Sequence, residues 1–153
     1  MKIIILSVGK TKDDHFSALA DRYFQRMSPF MKVGLEVAPE SKDGNTARKV
    51  EREGKEILKK IRERNYVVIL DEGGGGTDSL SFARWLSERL DGSDGRIVFV
   101  IGGAFGLSGE VRDRAHHSLS LSRMTMPHEL CRVFLLEQVY RACTILRGVD
   151  YHH

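Results

Sequence analysis

Residues 96–110 read Arg96-Ile97-Val98-Phe99-Val100-Ile101-Gly102-Gly103-Ala104-Phe105-Gly106-Leu107-Ser108-Gly109-Glu110, and this stretch decides the fold. Arg96–Ile101 is a short, nearly unbroken apolar run, the mark of a strand buried on both faces. Three glycines follow within five residues. Ser108 then reads as the N-cap of a short helix, with Glu110 near the positive end of its dipole. A buried strand that turns on glycine into a helix is one arm of an α/β unit.

The flanking sequence repeats the alternation. Lys2–Val8 and Tyr66–Leu70 are two more buried strands, and Val33, Leu35 and Val37 alternate in a strand over 32–38 with one wet face, near a sheet edge. Phe16, Leu19, Ala20, Tyr23, Phe24 and Met27 give residues 13–27 an amphipathic helical period, and Ala47, Val50, Ile57, Leu58 and Ile61 give another. Leu80–Leu90 is a helix carrying Trp85. Leu119–Leu121 is a short strand. Pro127 opens a final helix that runs to about Arg147, with Gly148 as its stop. The predicted fold class is α/β: a mostly parallel sheet flanked by helices.

Composition agrees. The chain has 153 residues, 41% hydrophobic and 29% charged, with a net charge of +3. That length suits one compact domain with a core of its own. The mild positive charge permits an anionic partner without demanding one. The opening apolar run is too short for a signal peptide, and every 18-residue window carries charge, so no membrane span is expected. Cys131 and Cys143 fall twelve residues apart in one helix, about 18 Å of rise, too far for a disulfide within it. Two free thiols suit a reducing cytoplasm.

In parallel sheets ligands sit beyond the carboxyl ends of the strands. Three loops lie there: Leu70 to Gly76, Ile101 to Gly106, and Leu121 to His128. The glycine turn is spaced G-G-x-x-G rather than G-x-G-x-x-G, and no acid follows about twenty residues on, which weakens a Rossmann-type nucleotide-binding oxidoreductase. Gly73–Gly76 reads as a mobile loop or a lid. Residues 42–64 carry nine Lys/Arg and five acids. This is either a solvated helix face, with Glu51–Lys55 and Glu56–Lys60 pairs, or a phosphate-tracking surface in a non-catalytic RNA-binding module. His128 stands in the first turn of the last helix, where the dipole favours a neutral imidazole. No metal-ligand spacing occurs. The last helix is apolar on more than one face, which predicts burial against a second subunit and leaves Arg132, Glu137 and Arg141 in need of partners. The tail beyond Gly148 is expected to add little to the core.

These residues together carry a resemblance. Leu70-Asp71 after a strand, Phe99 to Gly103 with Gly106-Leu107, Leu119 to Ser122 through Met126-Pro127-His128, and Gln138 to Ala142 closing to Tyr151-His152 resemble the RlmH family, SPOUT-class 23S rRNA pseudouridine-N3 methyltransferases. The similarity covers the whole chain, including Val8-Gly9-Lys10. It implies a single SPOUT-like methyltransferase domain over 1–153, a C-terminal trefoil knot, S-adenosylmethionine as cofactor and a homodimer acting on 23S rRNA, within the ribosome or large subunit. It places cofactor contacts on Leu70, Gly102, Leu121, Ser122, Arg123, Met124, Thr125 and Met126, and catalytic roles on His128, Tyr151 and His152. His153 departs from the pattern, which has Arg or Lys at that position.

Overall fold

The computed structural model describes residues 3–92 and 95–153. Lys2, expected to open the first strand, lies outside them. The elements in chain order are β1 (Ile3–Val8), α1 (Asp14–Met27), β2 (Val33–Ala38), α2 (Thr46–Lys60), β3 (Tyr66–Gly76), α3 (Ser79–Gly92), β4 (Ile97–Ile101), α4 (Gly109–Arg114), β5 (His117–Ser120) and α5 (His128–Arg147).

The five strands form one sheet in the order β2-β1-β4-β3-β5, every neighbouring pair parallel. The continuous apolar runs occupy its middle: all six residues of β1 and all five of β4 are buried. The alternating strand β2 is an edge, as its pattern predicts. Because side chains alternate across a strand, β1 splits its isoleucines between two cores. Ile3 and Ile5, with Phe99, pack beneath α1, α3 and α5, while Ile4, Leu6 and Val8 pack beneath α2 and α4.

Helix ends follow the expected chemistry. Asp13 caps α1 by accepting from His15 N–H at 2.8 Å, Ser108 caps α4 by accepting from Val111 N–H, and Gly148 ends α5 at φ 63°. Both cysteines are free. No helix among the described residues is long and apolar enough to cross a membrane.

One stretch differs. Gly73–Gly76, expected as a mobile loop or lid, is the second half of β3. After a bulge that follows Leu70, Gly75 pairs with Leu119 and Gly76 with Ser120. The glycines allow the close approach: a Cβ on Gly74 would lie 2.8 Å from the Ser118 carbonyl. Ser120 Oγ adds a hydrogen bond to the Glu72 carbonyl at 3.2 Å. β5 itself begins two residues earlier than expected, which leaves Leu121 as the first residue of the loop to α5.

Candidate functional site

Strands β3, β4 and β5 are neighbours and parallel, so their carboxyl ends present their loops together. Between the loops lies a cavity of about 870 Å³. Leu70, Asp71 and Glu72 form one wall, Ile101 to Leu107 a second, and Leu121, Ser122 and Met124 to His128 a third. Arg112 of α4 and Cys131 of α5 complete it.

The glycine turn is tight. Gly106 N–H donates to the Gly103 carbonyl at 3.1 Å, and Gly106 sits at φ +84°, where only glycine is at ease. A Cβ on Gly102 would come within 2.9 Å of the Gly106 carbonyl oxygen. The third wall is pinned by its hydroxyls. Ser122 Oγ accepts from Met124 N–H at 3.0 Å, Ser120 Oγ donates to the Ser122 carbonyl at 2.9 Å, and Thr125 Oγ1 donates to Glu72 Oε2 at 2.6 Å.

The charged groups are held from outside. Asp71 accepts from Gly73 N–H at 2.8 Å and pairs with the Arg112 guanidinium. The Gly73 N–H, then Arg112, keep its carboxyl below the usual carboxylate range. Burial pushes the Cys131 thiol up to about 11, against the pull of the Arg132 charge. Arg132 is 1% exposed and finds its partners at the end of β1 and on the connection to α1, donating to Ser7 Oγ, Thr11 Oγ1 and the Gly9 carbonyl.

Seven of the eight expected cofactor residues line this cavity: Leu70, Gly102, Leu121, Ser122, Met124, Thr125 and Met126. Arg123 is exposed and does not line it. Of the three expected catalytic residues, His128 lines the cavity and the other two do not. Tyr151 folds back on α5, with its ring centroid 4.8 Å from that of Tyr140 and its hydroxyl donating to Glu137 Oε1 at 3.2 Å. Burial, then the Glu137 charge, raise its pKa. Arg141 joins this cluster, bonded to Glu137 at 2.6 Å and lying 3.2 Å from His152 Nδ1. His152 lines a second cavity, about 480 Å³, with Phe82, Phe134 and Gln138; Leu121 lines both. The tail is thus docked rather than loose, because Glu137 and Arg141 offer it partners one turn apart.

The basic helix spans less of the chain than its charge run. Arg48 and Arg52 face Asp43, before the helix, and Lys49 faces Glu40 and Glu53. Glu56 pairs with Lys59 rather than Lys60. Two residues at the site are not singled out for it in the sequence: Arg112, which lines the cavity, and Glu53, whose Oε2 lies 2.7 Å from where a Cβ on Gly103 would sit. The signal for Glu53 was present, an acid in the apolar stripe between Val50 and Ile57.

A parallel α/β sheet whose last three loops close on one cavity, entered by a helix starting at Pro127-His128, defines a SPOUT-type methyltransferase domain. The chain belongs to that family: the model described as "Predicted SPOUT methyltransferase" matches residues 1–152. Within it the similarity is to the RlmH group. The chain is 39% identical to "Ribosomal RNA large subunit methyltransferase H" of Bacteroides fragilis, covering 100% of this chain and 99% of that protein. It is 40% identical to the protein of the same name from Geotalea daltonii, over 100% of both. Among solved structures, a probable methyltransferase from Bordetella pertussis matches with TM-score 0.56 at 16% identity, covering 93% of this chain and 94% of that one, a likeness of fold. Family membership sets aside the oxidoreductase reading.

Proposed function

We propose that this protein transfers a methyl group from S-adenosylmethionine to N3 of a pseudouridine in 23S rRNA, as a cytoplasmic enzyme acting on the ribosome or its large subunit. The observation that carries the reading is the three-loop cavity, in a chain that matches full-length relatives named for large-subunit rRNA methylation. Its volume lies within the roughly 300–1,000 Å³ of small-molecule sites. Leu70, Leu107, Leu121 and Met126 offer apolar walls for a purine. Gly102 and Gly103 bring backbone without side chains to the cavity wall. Asp71 and Glu72 set two carboxylates beside a cationic ligand. These residues fit S-adenosylmethionine, which supplies an electrophilic methyl group when bound.

The protein's own part is placement and proton transfer. A uracil N3 is a weak nucleophile while protonated, so a base must remove or relay its proton. His128 stands at the cavity wall, with a ring nitrogen free to take that role. Tyr151 and His152 supply an aromatic face for a splayed base and a second group able to move a proton. Within one chain they belong to the neighbouring cavity, so we assign them to a site completed by a second copy. Leu80, Leu130, Phe134 and Leu146 leave exposed apolar surface on α3 and α5, which supports a homodimer burying these helices. The chain from β4 to α5 would then carry the trefoil knot of the family, and the cationic outer face of α2 would track phosphates.

Mass spectrometry of rRNA nucleosides tests this directly. Cells lacking the protein should lose one N3-methylated pseudouridine from 23S rRNA and regain it when the protein is returned. Unchanged nucleosides, with RNA binding indifferent to S-adenosylmethionine, would favour a non-catalytic RNA-binding module. Light scattering should give twice the monomer mass.

A further inference from the structure

Glu53 stands where α2 should be apolar. It is 2% exposed, and Ile57, one turn on, is 1% exposed. Its Oε1 accepts from Ser41 N–H at 3.1 Å, with Lys49 Nζ 4.0 Å away. Its Oε2 is buried without a hydrogen-bond partner. That oxygen lies against the glycine turn of the cavity: a Cβ on Gly103 would be 2.7 Å from it and 3.3 Å from Val8 Cγ1. Lys49, one turn back on the same helix, lies 5.7 Å from the centre of the Phe105 ring while bonding Glu40 at 3.1 Å. Helix α2 therefore meets the turn at two points, a carboxylate against Gly103 and an ammonium against Phe105. Both turn residues line the cavity.

A buried carboxylate oxygen with no partner is costly, and an apolar side chain of similar volume would fill this space at less cost. The carboxylate does something there that a methionine cannot. It braces the Ser41 backbone on one side and the Lys49 ammonium on another, so its free oxygen has little freedom to swing away from Gly103.

We propose that Glu53 is a positioning residue for the cofactor loop, its carboxylate setting the seat of Gly103 and holding Lys49 beneath Phe105, and thereby the shape of the wall that the cofactor meets. The inference rests on the reading of this cavity as the S-adenosylmethionine site. A loop displaced by an ångström loses affinity for what it touches without losing its fold. The defect should appear in cofactor binding rather than in the chemical step.

Calorimetry with S-adenosylmethionine and steady-state transfer to ribosomes, on the full chain, test it. Glu53→Gln keeps the volume and an acceptor for Ser41 but removes the charge facing Lys49. It should raise the Kd and the KM for S-adenosylmethionine at least about tenfold and leave kcat at saturating cofactor within about twofold. Gly103→Ala drives a methyl group onto the same oxygen and should show the same loss. Glu53→Asp, which withdraws the carboxylate by one methylene, should restore affinity when combined with Gly103→Ala. Wild-type affinity in Glu53→Gln, or no recovery in the double variant, overturns the assignment. If Glu53→Gln does not fold, the Gly103 pair decides alone. A wild-type protein that fails to bind S-adenosylmethionine fells the proposed function and this inference together, a result distinct from one in which only the variants behave as wild type.

Discussion

Tyr151, beyond the glycine cap of α5, donates its hydroxyl to Glu137 Oε1 at 3.2 Å, the same oxygen that Arg141 Nη2 grips at 2.6 Å. The tail is thereby folded onto the helix it leaves. Sequence pattern alone predicts a segment that adds little to the core, because five residues past a helix stop carry no period. The docked tail changes the outcome expected of truncation. Removing residues 151–153 should lower stability by about 1 kcal/mol, the worth of a half-exposed hydrogen bond and ring contact, or roughly 2–4 °C in Tm. Under the proposed function it should also cut methyl transfer at least about tenfold, or roughly 1.4 kcal/mol of transition-state stabilisation. Single-turnover transfer at saturating cofactor, beside a thermal melt, separates the two effects. A truncated protein turning over at the full rate would leave the proton chemistry to His128.

Gly102 gives the sharpest binding prediction. Its missing side chain faces the Gly106 carbonyl oxygen at 2.9 Å and Leu107 Cδ2 at 3.1 Å, measured from where a Cβ would sit. Gly102→Val must push the turn apart from within. The buried strand before it should hold, so the variant should stay folded by circular dichroism while S-adenosylmethionine binding falls beyond detection by calorimetry. Affinity equal to wild type would remove this turn from the cofactor site.

Gly74 tests the register of β3 on β5. A Cβ there meets the Ser118 carbonyl carbon and oxygen at 2.8 Å, and backbone cannot step aside as a side chain can. Gly74→Val should cost about 1–3 kcal/mol, the usual range for overpacking. Because β5 feeds the loop from Leu121 to Met126, cofactor affinity should fall with it. A denaturant midpoint unchanged from wild type would restore the reading of Gly73–Gly76 as a free loop.

How much of this was legible in the sequence follows from what each feature depends on. The buried strands β1 and β4 were plain, since a continuous apolar run has few other uses. So were the caps at Ser108 and Gly148, which depend on a single residue type at one place. Gly73–Gly76 reads as a loop because four glycines carry no side chains to show a period, and only the partner strand reveals why side chains are excluded. Leu121 reads as a strand residue because its apolar side chain packs against the core, yet its backbone has left the sheet and its side chain also lines both cavities. The partners of Arg132 lie more than a hundred residues away, on β1 and its connection to α1, a relation that no local pattern carries.

Cys131 lines the cavity, and its thiol is pushed up to about 11 by burial. Only the thiolate reacts with an alkylating agent. At pH 8 an ordinary cysteine with a pKa near 9 is roughly one-tenth ionised, and one at 11 roughly a thousandth, so alkylation should be about a hundredfold slower than for a free thiol. Mass spectrometry after timed iodoacetamide treatment measures this. Added S-adenosylmethionine should slow the reaction further. Rapid, cofactor-independent labelling would contradict both the burial and the site.

The last prediction concerns acid. In the folded protein the Asp71 carboxyl is held below its ordinary value, first by the Gly73 N–H and then by Arg112. A depressed carboxyl stabilises the folded state at any pH above its unfolded value, near 4, and that contribution fades as pH falls through the lower, folded value. Stability between pH 5 and 8 should therefore not depend on Asp71 protonation, while acid unfolding should. Asp71→Asn removes the titration and should flatten the acid limb of a stability curve below about pH 4. Arg112 is half exposed and acts on Asp71 both as a hydrogen-bond donor and as a charge, beside the backbone donor at Gly73. Carboxyl-carbon NMR titration of Arg112→Ala should show Asp71 depressed less than in the wild type but still below the ordinary carboxylate value, because the Gly73 N–H remains. A return to the ordinary carboxylate value in that variant would make Arg112, and not the turn at Gly73, the group that holds this wall of the cavity charged.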